Sequence, residues 1–204
     1  QTCALPISIV SLANDSGSSD GITNDGTVNV TGLESGATWE YSTNNGVNWT
    51  TGTGSSFAVS GDGVKTVLIR QTDVAGNVST SSMSFTLDTT AAAPGVGLTS
   101  DTGSSATDKV TKVGTLNVTG VESGANVEYS TDNGSTWKTT FSAVEGLNTV
   151  LVRQTDIAGN TSSASTYTFT LDTTAAAPGV GLTSDTGSSA TDKVTKVGTL
   201  NVTG

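Results

Sequence analysis

The chain runs to 204 residues, with 8 Lys and Arg against 18 Asp and Glu, a formal net charge of −10, no His, one Cys and 5% aromatic residues. Without His there is no Ser-His-Asp or Cys-His nucleophile pair and no His-ligated zinc. The acidic balance argues against nucleic acid and anionic lipid as partners and in favour of divalent cations. No run approaches the ~20 apolar residues of a membrane helix, so no membrane insertion is expected.

Repetition organises the chain. Residues 85–120 recur unchanged 84 residues later, at 169–204, and a diverged copy of 101–137 is visible at 15–49. A period of this size exceeds the ~20 to 50 residues of solenoid repeats and suits small domains in series. In chain order, residues 1–7 (QTCALPI) have no counterpart in the later copies. They match the translation of a common sequencing adapter and read as a non-native leader, which leaves Cys3 without weight. Residues 8–90 form a first repeat, 91–94 a linker, 95–174 a second repeat, 175–178 a second linker, and 179–204 the truncated start of a third.

The second repeat predicts strands at 95–100, 115–121, 125–131, 135–140, 147–155 and 165–173, with no helical period anywhere. Alternation turns Leu116, Val118, Val127, Tyr129, Val150, Val152, Tyr167, Phe169 and Leu171 to one face. The first repeat preserves this set in type, as Val28, Val30, Trp39, Tyr41, Val67, Ile69, Met83, Phe85 and Leu87. Two antiparallel sheets packed on that face make a sandwich, so the fold class is all-β. Asn44-Asn45-Gly46 and Asp132-Asn133-Gly134 supply hairpin turns with positive φ, and 73–77 and 156–160 a second tight corner. The linkers are short and end in Pro94 and Pro178, which makes them semi-rigid and predicts an extended array. Residues 179–204 are expected to be disordered or to pair with an exposed edge, because their strand material lacks partners.

The motifs DTGSSATDKVT, NVTG, YSTDNGSTW and RQTDIAGN, with the TFTLDTT linker start, together resemble the bacterial immunoglobulin-like domains that form long arrays in large surface adhesins. The resemblance covers residues 8–204. It implies tandem immunoglobulin-like β-sandwiches, a secreted, cell-surface location and, in many members, calcium at domain junctions. Copy two carries Lys112-Val113 where copy one has Asn24-Asp25, which argues against a ligand role at that position.

Physical chemistry reaches calcium independently. The candidate metal ligands are Asp15, Asp20, Asp73, Asp88, Asp101, Asp108, Asp156 and Asp172, which recur between the two diverged copies. Glu34/Glu122 and Glu40/Glu128 recur as well. Calcium takes 6 to 8 oxygen ligands, and extracellular modules bind it at about 10⁻⁴ to 10⁻³ M. The competing reading is that these aspartates cap turns and solubilise loops. Neither the EF-hand loop nor the glycine-rich nonapeptide is present. Trp49 and Trp137 suit either sugar stacking or packing over the sandwich edge. The glutamate pairs lack the cleft that a glycosidase requires, so no catalysis is expected. The leading expectation is a calcium-rigidified spacer of an adhesin, whose partners are neighbouring repeats and, through other domains, a host-cell, surface or glycan ligand. The alternative is a module whose own surface contacts carbohydrate or another cell.

Overall fold

Alternating burial runs through the two longest strands of the first repeat, where Val67, Ile69 and Gln71 are enclosed while their neighbours face outward. That period of two is what a half-buried strand requires. The computed structural model describes residues 8–204, and the expectation for residues 1–7 lies outside them. The strands are β1 (Ile9–Leu12), β2 (Ile22–Thr23), β3 (Thr27–Thr31), β4 (Thr38–Ser42), β5 (Thr50–Thr51), β6 (Ser56–Ala58), β7 (Gly63–Thr72), β8 (Val78–Leu87), β9 (Gly95–Leu98), β10 (Val110–Thr111), β11 (Leu116–Thr119), β12 (Asn126–Ser130), β13 (Gly146–Thr155), β14 (Ser165–Leu171), β15 (Gly179–Leu182) and β16 (Leu200–Thr203). No helix occurs among the described residues, and the chain is all-β.

Hydrogen bonding groups these strands as β1-β3-β6, β2-β8-β7-β4-β5, β9-β11, β10-β14-β13-β12 and β15-β16. No ladder joins strands from different repeats. In repeat 1 the three-stranded and five-stranded sheets close on Val28, Val67, Phe85 and Leu87, with Val10, Leu12 and Phe57 packed against them. A neighbouring cluster of Val30, Trp39 and Ile69 continues this core, and Tyr41 stacks on Phe57 with ring centroids 4.1 Å apart. Burial of such side chains contributes about 1.5–3 kcal/mol each. In repeat 2 the enclosed apolar residues are Val150, Val152, Ala158 and Phe169.

Two short strands escape the alternation pattern. β2 and β10 run parallel to β8 and β14 for only two residues each. Their buried threonines hold the preceding loops: Thr23 Oγ1 donates to Asn14 O at 2.8 Å, and Thr111 Oγ1 donates to Ser100 O at 3.0 Å.

Residues 135–140 do not form the expected strand, and a single bridge links Tyr129 to Lys138. The start of this stretch belongs to the turn, where the Asp132 carboxylate accepts from the Thr136 backbone at 2.8 Å as Asn44 Oδ1 accepts from Asn48 N in repeat 1. Trp137 Nε1 donates back to Gly134 O at 3.1 Å and folds the indole over that turn. Residues 179–204 also depart from expectation. β15 pairs with β16, Leu182 opposite Leu200, repeating the pairing of Leu98 with Leu116 in β9 and β11.

Candidate metal centre

The corner after β13 begins with Asp156, which is almost fully buried. Its carboxylate accepts from Asn160 N and Asn160 Nδ2, each at 2.8 Å, which fixes the loop. The same Asn160 Nδ2 donates to Asp88 O at 2.7 Å. Asp88 directly follows β8, and its backbone N–H donates to Thr23 O, so the end of repeat 1 is fixed on its own sheet. Glu122 comes from the turn after β11, where its N–H donates to Gln154 Oε1 at 2.8 Å.

These three residues each present one carboxylate oxygen within 4.8 Å of the others. Two oxygens on opposite sides of one calcium ion are about 4.8 Å apart, given ligand distances of 2.3–2.6 Å. The donor set is entirely carboxylate oxygen, which suits a hard cation and offers nothing to a thiophilic one. Among the described residues the ion pairs are Arg70–Glu40 and Arg153–Glu128, and neither reaches the cluster. Three like charges therefore converge between repeats without a neutralising side chain.

The linker is pinned beside the cluster. Glu122 Oε1 accepts from Ala92 N at 2.9 Å, and Gln154 Nε2 donates to Ala92 O at 2.7 Å. Ser165 Oγ donates to Pro94 O at 2.6 Å, and Pro94 is buried. On the other side of the junction, Ser16 Oγ of repeat 1 donates to Ala158 O at 2.5 Å. Gly17 makes this approach feasible. It adopts φ +71°, and a Cβ built there would lie 1.9 Å from Ile157 O.

Of the eight aspartates singled out from sequence, Asp88 and Asp156 meet in the cluster. Asp73 grips Asn77 as Asp156 grips Asn160, at 2.7 and 2.8 Å, yet belongs to no carboxylate group among the described residues. Hydrogen bonds from Asn77 hold its carboxyl below the usual range. Asp20 and Asp108 accept from the N–H two residues on, at 2.9 and 3.0 Å, as Asx turns do. Asp15 and Asp101 accept through Oδ2 from Gly21 N and Lys109 N, while Oδ1 of each is enclosed without a partner. Asp172 caps Thr174 at 3.3 Å and shares a groove with Asp108 and Lys112.

Sequence reasoning left Glu122 out of the ligand set and passed over Gln154 and Asn160. The available signal was the in-phase position of Gln154, two residues after Val152 on the buried row of β13. An inward amide there demands specific partners.

The glutamates and tryptophans form one recurring stack. Arg70 donates to Glu40 at 2.6 Å and lies 4.2 Å from the Trp49 ring centroid. Arg153 does the same with Glu128 at 2.9 Å and Trp137 at 4.0 Å. One indole face is therefore covered by guanidinium in both copies.

Comparison with known families matches residues 90–173 to the bacterial Ig-like domain. Over this segment the chain is similar to that domain. Its span takes in the linker from Thr90 onward, so the clamped Ala92 falls within the matched segment. Among solved structures, the fibronectin(III)-like modules of Clostridium thermocellum CbhA align over 80% of this chain and 94% of theirs, with 13% identity and a TM-score of 0.42. A tetra-tandem repeat from the extending region of a large adhesion protein aligns over 87% of this chain at 19% identity and a TM-score of 0.29. The chain spans about half of that structure, 52%. No curated protein matches the chain.

Proposed function

We propose that this chain is a run of spacer repeats from a bacterial cell-surface adhesin, stiffened by calcium bound between consecutive Ig-like units. The convergence of Asp88, from the end of one repeat, with Glu122 and Asp156, from the next, carries this reading. A cation there ties two units together and offsets the mutual repulsion of three carboxylates. The unchanged recurrence of residues 85–120 at 169–204 supports a length-setting role, because a spacer needs repeated units and no variable surface. The reading is non-enzymatic: Glu40 and Glu128 are committed to arginines. A secreted, cell-surface location belongs to the same reading: the similarity to bacterial Ig-like domains supports it, and weak extracellular sites work at millimolar calcium. Among the described residues no helix is long and apolar enough to cross a membrane.

Thermal unfolding of the chain in millimolar calcium and then in chelator, paired with small-angle scattering, tests the proposal. Calcium at 100 times its dissociation constant contributes about 2.7 kcal/mol, which raises the melting temperature of a domain this size by roughly 10 °C or more. The rise should disappear in the Asp88→Asn, Glu122→Gln double variant. Unchanged melting and an unchanged scattering profile would reduce the cluster to loop-capping carboxylates and leave a cation-indifferent spacer.

A further inference from the structure

Repeat 2 holds the linker by its backbone alone. Gln154 takes the Ala92 carbonyl, Glu122 takes the Ala92 N–H, and the Gln154 Oε1 bond to Glu122 N locks the two side chains into one unit. Together they present a donor and an acceptor to one residue of extended chain, as the edge of a neighbouring strand would.

Repeat 1 carries the same unit. Gln71 is fully buried, and its Oε1 accepts from Glu34 N at 2.9 Å, which orients its amide as in Gln154. The two atoms that grip Ala92 in repeat 2 have counterparts in Gln71 Nε2 and Glu34 Oε1. Both are enclosed and lack a hydrogen-bond partner among the described residues. Buried donors and acceptors without partners are rare in native proteins and call for a specific explanation. A second observation agrees. The corner holding Ala158, which is fully buried against repeat 1, has its counterpart in 73–77, where Ala75 is exposed and Val74 is 82% exposed.

We propose that Glu34 and Gln71 form a linker clamp that receives the Asp-Thr-Thr-Ala-Ala-Ala-Pro segment of a repeat placed ahead of β1. The segment 172–178 has this sequence, and residues 179–204 contain no counterpart of Glu122 or Gln154 to hold its Ala176. The clamp reads main chain, so it accepts any residue at the Ala92 position that keeps its N–H, and it rejects proline. This proposal is independent of calcium, since the two clamp atoms bind peptide groups.

The test is a chain in which residues 95–178 are repeated directly ahead of Ile9 in place of residues 1–8, so that Pro178 takes the place that Pro94 holds before Gly95, studied in chelator by amide hydrogen exchange. The alanine of the added linker that corresponds to Ala92 should exchange about tenfold or more slowly than Ala176. Glu34→Ala should abolish that protection, as Glu122→Ala should for Ala92 in the unmodified chain. Glu34→Ala leaves the Gln71 bond to the residue 34 backbone in place, so repeat 1 keeps its fold. Exchange at the rate of Ala176, or protection indifferent to Glu34→Ala, would overturn the proposal. Protection that disappears on dilution would also overturn it, because the clamp would then be taking the linker of another molecule.

Discussion

Asp132 shows how one side chain sets the course of the chain after a turn. Its carboxyl is held down at about 2, below the ordinary 3.8, by the Thr136 hydroxyl first, then by the Thr136 N–H and the Ser130 hydroxyl. A carboxyl lowered on folding contributes stability that is complete above pH 3.8 and is lost as pH falls through about 2. We therefore expect a carboxyl-detected NMR titration of Asp132 to show a midpoint near 2, moving up toward 3.8 in Thr136→Val. The corresponding turn in repeat 1 uses Asn44, which accepts from Ser42 Oγ and Asn48 N, and it should not titrate in this range. The turns themselves were readable from sequence. Asn45 and Asn133 adopt φ of 56° and 59°, the left-handed conformation that Asn-Gly pairs favour. The reach of Asp132 to Thr136 was not, because it depends on a rotamer and consumes the residues that alternation assigned to a strand.

At the scale of elements, β13 shows where pattern reading succeeds and where it stops. Val150 and Val152 announced an inward row, and both are fully buried. The row continues at each end into Asn148 and Gln154, whose amides have work that a hydrophobic pattern does not encode. Asn148 accepts from Val144 N at 2.9 Å and donates to Val144 O and Gly146 O at 2.7 and 2.8 Å, which closes the bend leading into β13. Repeat 1 has Lys65 at this place, so the bend is not a requirement of the fold. Replacing Asn148 by Ala strands three backbone groups and should cost repeat 2 about 1–3 kcal/mol. Residue-resolved urea unfolding should show the loss in 95–171 while β7 and β8 keep their midpoint. The two-residue strands β2 and β10 were invisible for another reason: two residues have no period.

At the scale of the whole molecule, the two corners 73–77 and 156–160 are near twins in sequence yet differ in burial, because repeat 1 packs against the second. No reading of either corner alone separates them, which is why Asp73 and Asp156 looked equivalent as ligands. Gly17 decides the fit. Gly17→Ala places a methyl on the Ile157 carbonyl and strains a positive φ. It should loosen the junction while both repeats stay folded. Scattering would then show a broader range of particle dimensions, and the relaxation rates of 95–171 would separate from those of 8–87. The corresponding change at Gly103, where an added methyl would come no nearer than 3.9 Å, to Val110 O, should leave the junction unchanged.

The linker clamp makes the joint directional. One end of a repeat offers a grip, the other an extended segment, and these are unlike surfaces on the same unit. Such a heterologous contact has no two-fold axis and does not close on itself, so it generates open-ended polymers and not dimers. Covalent linkage turns that geometry into an evolutionary convenience. A duplication or deletion of one whole 84-residue period adds or removes one joint along with one body and leaves every remaining joint with both halves. Length can then drift by unequal recombination without any new surface having to be invented.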